Sequence, residues 1–183
     1  MFARTKRLTL RPGWLEDAPA LTRAIAHEEV AFKLSRLPWP YTEEHAVEWL
    51  STPKAANDVA LLILAHEEAT PRLVGVIGLH PAIEGAGMEI GYWLTPDAWG
   101  RGYATEAGRA MLDIARWSMG LKRLVSGHFT DNPASGNVLR KLGFRRTGTE
   151  QRMCLARGHT VECATMELDF DQDDPDCRMP LAA

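Results

Sequence analysis

Residues 99–107 read WGRGYATEA, and small residues in this stretch alternate with large ones just before an amphipathic segment. The small residues are Gly100, Gly102 and Ala104. The start of a helix leaves its first backbone N–H groups unpaired and carries about half a positive charge, so it binds anions wherever no side chain blocks the approach. The three small residues keep that approach open. The stretch therefore predicts a site for a phosphate or a pyrophosphate.

Three phosphate-binding designs begin a helix in this way. A P-loop requires GxxxxGK[ST], and the chain contains no Gly-Lys-Ser or Gly-Lys-Thr. A dinucleotide-binding turn requires GxGxxG, but Thr105 stands where the third glycine belongs. The next strand also ends at Phe129 without the acidic residue that binds the ribose. The third design, x-x-x-G-x-A at the start of a helix that follows the middle strand, fits the sequence best.

Strand and helix patterns alternate on both sides of this turn. Period-two alternation and β-branched apolar runs predict strands, and apolar residues at helical spacing predict helices. The predicted strands are 4–12, 59–65, 73–79, 88–94, 123–129, 144–149 and 161–169, and the predicted helices are 16–27, 43–50, 103–118 and 133–142. Thr42 and Asn132 are candidate N-caps, and Gly143 ends the last helix. The strand, helix and strand across 88–129 predict a parallel βαβ crossover.

Length and composition favour a single globular domain. The chain has 183 residues, 45% of them hydrophobic, and a formal net charge of -3. A chain of this length buries about two-thirds of its unfolded surface, and it has no basic excess that would bind nucleic acid or anionic lipid. We expect one domain over residues 1–170, followed by an acidic, flexible tail over residues 171–183.

Apolar runs and cysteines indicate the compartment. No apolar run approaches the ~18 residues of a membrane helix, and the first residues lack the apolar core of a signal peptide. Cys154, Cys163 and Cys177 are odd in number and show no CxxC spacing, which argues against a disulfide framework and against a zinc site. We expect a soluble, cytoplasmic protein that binds neither membrane nor metal.

Three stretches together resemble a known family. They are MEIGYWL at 88–94, WGRGYATEA at 99–107 and DNPASGNVLRKLGF at 131–144, which in this order and spacing resemble the GNAT superfamily of acyl-CoA-dependent N-acyltransferases. They look closest to its RimJ/RimL-like branch, which acetylates ribosomal-protein N-termini and includes relatives with other substrates. The stretches at 8–21 and 157–168 resemble the family's first strand and helix and its last hairpin. Trp99 departs from the Gln or Arg that commonly opens the pyrophosphate motif, a change associated with this branch.

The resemblance implies a fold and a coenzyme site. The fold is a single α+β domain with a mixed, mostly antiparallel sheet between helices, in which the fourth and fifth strands, 88–94 and 123–129, splay apart. Acetyl-CoA lies in the gap without a metal, and its pyrophosphate lies on the amides of residues 100–105. The implied coenzyme-binding residues are Tyr92, Trp93, Leu94, Trp99, Gly100, Arg101, Gly102, Tyr103, Ala104, Thr105, Asn132, Asn137 and Lys141. Arg140 is a further candidate for the 3′-phosphate. The alternatives are that Asn132 serves only as a helix cap, that Asn137 simply faces solvent and that the cations are solvated.

Acetyl transfer requires a neutral amine, donors for the oxyanion and a proton for the departing thiolate. Glu89 leads the candidates for the base, ahead of His80 and Glu84, because it lies on the strand that the resemblance places along the cleft. Its alternative role is a solvent-facing strand residue paired with a cation. His80 is equally a strand-end residue and Glu84 a turn acid. Ser135 matches the serine proposed in RimJ/RimL-like enzymes to protonate the thiolate, and it is equally a first-turn residue of its helix.

The remaining parts of the site follow from architecture. Backbone N–H groups near Gly91 and Tyr92 are candidates for the oxyanion donors, because a splayed strand leaves groups unpaired. Trp14, Trp39 and Tyr41 are candidates for the wall of the acceptor pocket, although aromatic residues in such positions are more often core.

The function that the resemblance implies is transfer of the acetyl group of acetyl-CoA to a primary amine by direct attack in a ternary complex. The acceptor is a protein N-terminus or a small-molecule amine, and the family allows a homodimer. Two alternatives remain open from the residues. One is a catalytically silent acyl-CoA-binding or regulatory module of the same fold, and the other is a dinucleotide-dependent oxidoreductase.

Overall fold

An eight-stranded mixed sheet forms the centre of the protein in the computed structural model, which describes residues 1–55, 57–67, 70–82 and 87–171. The strands are β1 (Ala3–Arg4), β2 (Leu8–Arg11), β3 (Val59–Ala65), β4 (Arg72–Pro81), β5 (Met88–Leu94), β6 (Arg123–Phe129), β7 (Arg145–Cys154) and β8 (His159–Asp169). The helices are α1 (Ala18–Ile25), α2 (Glu28–Ala31), α3 (Glu43–Ser51), α4 (Tyr103–Asp113) and α5 (Pro133–Lys141). The strand order is β1-β2-β3-β4-β5-β6-β8-β7.

The pairing of the strands confirms the predicted fold class. β5 and β6 are parallel, as the βαβ pattern predicts, and α4 connects them. The other neighbouring strands pair antiparallel. The predicted cap of α5 is also confirmed, since Asn132 accepts a hydrogen bond from the backbone of Ser135 and Pro133 is the first helical residue. The protein is therefore an α+β domain with a mostly antiparallel sheet.

Several element boundaries differ from the prediction. The single strand expected over residues 4–12 is a hairpin of β1 and β2, so the strands predicted as fourth and fifth are β5 and β6. The helix expected over 16–27 ends at Ile25, and the short α2 follows it. β7 extends to Cys154 instead of ending at Thr149. The extension alternates exposed and partly buried residues at the edge of the sheet, where polar side chains mask the strand pattern.

The two faces of the sheet bury separate apolar clusters. The face under α4 and α5 carries the larger cluster, which includes Leu61, Ile77, Ile90, Met111 and Leu139. On the other face, α1 and α3 pack against a smaller cluster of Ala18, Leu21, Ala46, Leu62 and Val76. Adjacent apolar residues of β3, such as Leu61 and Leu62, therefore belong to different cores.

The described residues end at Asp171, so the tail predicted over 171–183 lies almost entirely outside them, as does Cys177. Within the described ranges, no helix combines the length and the apolar character needed to cross a membrane.

Glu106 fastens the first turn of α4 to the β1–β2 hairpin. Its Oε1 accepts hydrogen bonds from Thr5 Oγ1 at 2.6 Å and from the backbone N–H of Arg7 at 2.9 Å. Its Oε2 accepts one from Arg7 Nε at 2.7 Å. Arg7 also donates to the backbone oxygen of Arg101 at 2.9 Å, in the turn before the helix. The position of α4 therefore depends on one carboxylate.

The charge state of this carboxylate links fold stability to pH. Burial alone raises the pKa of Glu106, but the hydrogen bonds from Thr5 and Arg7 outweigh burial and hold the pKa below its usual value. A carboxylate whose pKa is lowered by folding stabilises the protein above its unfolded pKa of about 4.3, and this contribution disappears as the pH falls through the folded value.

We expect Glu106→Gln to lower the free energy of unfolding at pH 7 by about 1.5–3 kcal/mol, because charge-assisted hydrogen bonds are lost. The difference from the wild type should shrink as the pH falls below about 4, where the wild-type carboxylate is also protonated. Urea unfolding followed by circular dichroism, at pH 7 and below pH 4, measures this difference in the free energy of unfolding.

Glu48→Gln is the matched control, because Glu48 is exposed on α3. It should change the free energy of unfolding by less than about 0.5 kcal/mol at either pH. Equal stability of Glu106→Gln and the wild type at pH 7 would contradict the role assigned to Glu106.

Candidate active site

The turn before α4 is built on two glycines in the left-handed backbone region. φ is +74° at Gly100 and +79° at Gly102, a region that other residues rarely adopt. Apart from chain neighbours, no described heavy atom lies within 4 Å of the place where a Cβ on Gly100 would be. A Cβ on Gly102 would meet only a guanidinium nitrogen of Arg7, at 3.5 Å. The turn is therefore open where side chains would otherwise stand.

Six consecutive backbone N–H groups, from Gly100 to Thr105, surround this opening. No backbone carbonyl in the described ranges accepts a hydrogen bond from any of them. The next N–H, that of Glu106, donates to the backbone oxygen of Gly102 at 3.0 Å and begins the helical ladder. Unpaired N–H groups at the positive end of a helix macrodipole attract anions. The turn meets the requirements of the predicted pyrophosphate site.

Two large side chains of the turn are engaged with neighbouring elements. The Trp99 indole donates from Nε1 to the backbone oxygen of Leu94 at 2.9 Å, which ties the turn to the end of β5. The Arg101 guanidinium donates to Glu67 Oε2 at 2.6 Å. Arg101, predicted to contact the coenzyme, thus offers its backbone N–H at the opening while its side chain pairs with a carboxylate.

β5 and β6 separate soon after they begin. They pair at two positions and the ladder ends at Glu89 and Val125, whereas β4 and β5 pair over seven positions. Beyond the ladder, Ser126 Oγ donates to the backbone oxygen of Ile90 at 2.9 Å. The predicted splay is confirmed. It divides the sheet into two arms, the first made of β1 to β5 and the second of β6, β8 and β7.

The alternation of a strand decides which backbone groups face the gap. The oxygen of Ile90 points toward β6, because it accepts the hydrogen bond from Ser126. Backbone groups two residues further along a strand point the same way. The N–H groups of Tyr92 and Leu94 therefore face the gap, and that of Gly91 faces β4. Of the two oxyanion donors that the sequence suggested, only Tyr92 has its N–H in the gap.

Tyr92 and Ser135 join the two sides of the gap. The Tyr92 hydroxyl donates to the backbone oxygen of Ser135 at 3.0 Å and shares a second hydrogen bond with Ser135 Oγ at 2.9 Å. Burial raises the pKa of Tyr92 to about 12, so the phenol stays protonated at neutral pH. Asn132 accepts from the Ser135 N–H at 3.4 Å, which is its capping role. Ser135 is thus held at the mouth of the gap by two partners.

Glu89 lies at the vertex where the two arms diverge. It is only 5% exposed, so the interpretation of Glu89 as a solvent-facing residue is wrong, although it does pair with a cation. Its Oε1 accepts a hydrogen bond from Arg152 Nη1 at 2.6 Å. The same guanidinium donates from Nε to Glu150 Oε1 at 2.9 Å and pairs through Nη2 with that oxygen at 2.6 Å.

His80 is the cross-strand partner of Glu89 and has both ring nitrogens engaged. Nδ1 lies 2.9 Å from the backbone oxygen of Pro81, which can only accept, so Nδ1 carries the proton. Nε2 then accepts from Arg36 Nη2 at 2.9 Å. The lone pair that a base would use is therefore occupied. Glu84, the third candidate, lies outside the described residues.

Other predicted coenzyme residues lie in different surroundings. Lys141 and Arg140 line a cleft of about 700 Å³ with Asp113 and Trp117, at the end of α4 opposite to the open amides. The structure therefore does not bring Lys141 to the turn. Asn137, on the exposed side of α5, accepts a hydrogen bond from Arg140.

The side chains next to Tyr92 on β5 also face away from the gap or into the core. Trp93 packs against the cluster under α1 and α3, and Leu94 is buried in the larger cluster. Of these two residues, only Leu94 has a backbone N–H in the gap, because the backbone groups of Trp93, like those of Gly91, face β4.

The three aromatic residues predicted to wall the acceptor pocket do not form one group. Trp14 is 51% exposed and carries Arg11 over its ring at 4.2 Å. Tyr41 packs into the cluster under α1 and α3, and burial raises its pKa to about 12. Trp39 is half-buried in the loop before it. Tyr41 therefore belongs to the core.

A second cleft, of about 580 Å³, adjoins the cap of α5. Asp131 pairs there with Arg157 at 2.7 Å and with Lys33 at 3.5 Å. The residues that line it are Glu29, Phe32, Lys33, Asp131, Ala156, Arg157 and His159. Sequence patterns missed this group, because α2, the β6–α5 connection and the β7–β8 turn meet only in the folded chain. Within the described ranges no three His, Cys, Asp or Glu residues are grouped to hold a metal ion.

Comparison with known proteins identifies the family. Residues 7–145 match the model of the acetyltransferase (GNAT) domain. The chain is 30% identical over 157 residues to the Uncharacterized N-acetyltransferase YoaA of Bacillus subtilis (strain 168), covering 84% of this chain and 88% of that protein. The chain belongs to the GNAT acetyltransferase family, and it is an enzyme of that family. Membership excludes the dinucleotide-dependent oxidoreductase.

Solved structures share the fold. The GNAT-family acetyltransferase of Bacillus anthracis superposes with a TM-score of 0.78 at 24% identity, over 92% of this chain and 98% of that one. RimL, described as a ribosomal L7/L12 alpha-N-protein acetyltransferase in complex with coenzyme A, gives a TM-score of 0.74 at 21% identity, over 94% and 100% of the two chains. At these identities the likeness concerns the fold.

We expect Gly102→Glu to weaken acetyl-CoA binding by about 10³-fold. A carboxylate about 4 Å from a phosphate charge near a protein surface costs roughly 4 kcal/mol. Isothermal titration calorimetry measures the affinity, and circular dichroism checks that the variant is folded.

Gly120→Glu is the matched control. Gly120 also has a positive φ, +65°, and open space around a Cβ, but it lies beyond the other end of α4. The two variants share the backbone strain of a non-glycine residue, so only the first should lose affinity. Full affinity in folded Gly102→Glu would move the coenzyme site away from this turn.

Proposed function

We propose that the protein transfers the acetyl group of acetyl-CoA to a primary amine, with both substrates bound together. The observation that carries this proposal is the run of six N–H groups without a backbone acceptor, from Gly100 to Thr105, beside a gap in the sheet. The run fits the pyrophosphate of the coenzyme, and the gap accommodates its extended arm. The N–H of Tyr92 then serves as the donor to the oxyanion.

The acceptor must attack as a neutral amine. An α-amino group with a pKa of ~8 is roughly one-tenth neutral at pH 7, whereas a lysine amine with a pKa of ~10.4 is neutral less than one part in about a thousand. An N-terminal acceptor therefore needs little help from a base, and a lysine-like acceptor needs much more. RimL is described as an alpha-N-protein acetyltransferase, that is, an enzyme whose acceptor is a protein N-terminus. This similarity supports the assignment to the RimJ/RimL-like branch, and it makes a protein N-terminus the first acceptor to test. A small-molecule amine is the alternative.

Ser135 is the residue that we assign to the thiolate. Its hydroxyl lies at the mouth of the gap, 2.9 Å from the phenol oxygen of Tyr92. Since Tyr92 donates its single proton to the Ser135 backbone oxygen, the phenol oxygen serves the Ser135 hydroxyl as an acceptor. As the carbon–sulfur bond of the tetrahedral intermediate breaks, the Ser135 O–H gives its proton to the departing sulfur, and the serine oxygen regains a proton from solvent water. The attacking nitrogen bonds to the acetyl carbon and loses a proton to the base. Glu89, at the vertex of the gap, is the group that we assign to this second proton.

The alternative that the sequence left open, a silent coenzyme-binding module, is opposed by the chain's membership of an enzyme family. One observation speaks for it, the engagement of both described base candidates, since Glu89 pairs with Arg152 and His80 accepts from Arg36. The two functions differ in one measurable respect. A module binds acetyl-CoA without releasing free thiol in the presence of amines.

The buried free thiols of Cys154 and Cys163 fit our proposal that the protein acts in the reducing cytoplasm. We likewise propose that the enzyme acts as a homodimer.

The experiment that tests the function combines binding with turnover. Calorimetry should detect acetyl-CoA binding and no comparable binding of NAD. A screen of α-amino peptides, lysine-like amines and polyamines should then identify an acceptor by the release of free thiol. Tighter binding of NAD than of acetyl-CoA would contradict the proposal, and binding without thiol release from any amine would favour the silent module.

We expect Ser135→Ala to lower kcat by about 10²-fold, the lower end for loss of an acid or base, because a thiolate already leaves readily. The affinity for acetyl-CoA should stay within about twofold, because only the transition state gains from the proton. Steady-state kinetics and calorimetry check the two quantities. Ser51→Ala is the control, because Ser51 is an exposed residue at the end of α3. An unchanged kcat in Ser135→Ala would show that Ser135 has only a structural role at the start of its helix.

We expect Glu89→Gln to report on the class of acceptor. With an α-amine, kcat/KM should fall only several-fold, because a usable neutral fraction exists at pH 7. With a lysine-like amine the loss should reach ~10²- to 10⁴-fold, as for removal of a general base. Superimposable pH–rate profiles of the variant and the wild type would exclude Glu89 as the base.

A further inference from the structure

A single guanidinium connects the two arms of the sheet at the vertex of the gap. Arg152 belongs to β7 at the edge of the second arm, and Glu89 belongs to β5 on the first. The guanidinium crosses β6 at Gly127, where an added Cβ would lie 3.6 Å from Arg152 Cζ and 2.8 Å from the sulfur of Cys163. A glycine at this position of β6 therefore leaves the room through which Arg152 reaches Glu89.

The three charged side chains form a group with one cation between two carboxylates. Arg152 donates from Nη1 to Glu89 at 2.6 Å and from Nε to Glu150 at 2.9 Å. Their side chains are 15%, 7% and 22% exposed in the order Arg152, Glu89 and Glu150. Water therefore screens these charges only weakly. The group carries a net charge of about -1, because the guanidinium neutralises only one of the two carboxylates.

The other ionisable groups near Glu89 contribute little charge. His80 of β4 has an Nδ1 that donates to the Pro81 oxygen and an Nε2 that accepts from Arg36, so its ring is neutral. Arg36 itself is a cation, but it is exposed, so water screens its charge. Burial raises the pKa of the Cys163 thiol of β8 to about 11, so this group is neutral as well. Glu167, also on β8, pairs with Arg123 at 3.5 Å. Arg152 and Glu150 are therefore the charges that decide how readily Glu89 takes a proton.

We propose that Arg152 and Glu150 are positioning residues that set the basicity of Glu89 in opposite directions, with Arg152 holding the carboxylate at the vertex and Glu150 offsetting the acidifying effect of the guanidinium. The inference rests on the proposed function, in which Glu89 accepts the proton of the attacking amine. Glu150 is a second anion bound to the same guanidinium, so the positive charge of Arg152 is shared between two carboxylates.

Opposite substitutions should move the titration of Glu89 in opposite directions. Glu150→Gln leaves Arg152 to Glu89 alone, so the carboxylate is stabilised and its titration midpoint moves to lower pH. Arg152→Gln leaves two carboxylates without a cation, so the midpoint moves to higher pH. Each change should amount to about 1–3 pH units, the range for one nearby charge. The double variant Glu150→Gln/Arg152→Gln removes both charges and should return the midpoint near the wild-type value.

The test has a spectroscopic part and a kinetic part. Carbon-13 NMR of protein labelled at the glutamate carboxyl groups follows Glu89 directly, and its signal is the one missing in Glu89→Gln. The pH–rate profile of kcat is then measured with the acceptor found by the amine screen. Two groups shape this pH–rate profile, the acceptor amine and Glu89. The part of the profile that reports titration of the amine should be the same in all variants. The part that reports titration of Glu89 should move with the NMR midpoint. Glu162→Gln, exposed on β8, is the matched control and should move neither.

Shifts in opposite directions, seen in both the NMR midpoint and the kinetic limb, support the proposal. An NMR midpoint that stays fixed in Glu150→Gln overturns it, and so does a midpoint that moves while the kinetic limb does not. Arg152→Gln alone is the variant at risk of misfolding, since it leaves two buried carboxylates unpaired. Glu150→Gln decides the question in that event, and a double variant whose midpoint stays at the Glu150→Gln value would also overturn the proposal. Failure of the proposed function is distinct, because it abolishes thiol release in the wild type while the NMR titration remains measurable.

Discussion

The backbone N–H groups from Gly100 to Thr105 must stay free of internal acceptors, and much of the surrounding structure follows from this constraint. The glycines keep side chains away from the opening. Trp99 ties the turn to the end of β5, and Glu106 ties the first helical turn to the β1–β2 hairpin. Free donors at a helix start cost stability unless water or a ligand satisfies them. The fixed turn is therefore prepared for an anion, which gains the hydrogen bonds that the fold leaves unmade.

The separation of β5 from β6 creates the second half of the site. A parallel pair that continued beyond Glu89 would use the N–H of Tyr92 in the ladder and would leave no room between the strands for the coenzyme arm that we propose there. Few contacts then remain to hold the arms together. The hydrogen bond between Tyr92 and Ser135 joins the two sides at the mouth of the gap, and the ion pair between Arg152 and Glu89 joins them at the vertex. Each of the two contacts therefore holds the arms together and includes a residue, Ser135 or Glu89, to which we assign a step of the reaction.

Local features of the sequence predicted local features of the structure. The glycine turn, the Asn132 cap and the βαβ crossover each depend on neighbouring residues, so spacing was sufficient to find them. The ion pair of Arg152 with Glu89 joins residues 63 positions apart and depends on the strand order, which no periodicity encodes. Lys141 shows the same limit, because the helical pattern gives a face of α5 but not the cleft that it meets. Prediction was therefore good for the geometry of the glycine turn and poor for the charges around Glu89.

The most direct test of the pyrophosphate site is an amide NMR titration of the labelled protein with coenzyme A and, separately, with pantetheine, which lacks the pyrophosphate. Hydrogen bonds to an anion move amide proton signals downfield. We predict downfield shifts at Gly100 to Thr105 with coenzyme A and none there with pantetheine, which should perturb only the amides that line the gap, such as Tyr92. Unchanged signals at Gly100 to Thr105 in the protein saturated with coenzyme A would contradict a pyrophosphate site at this turn.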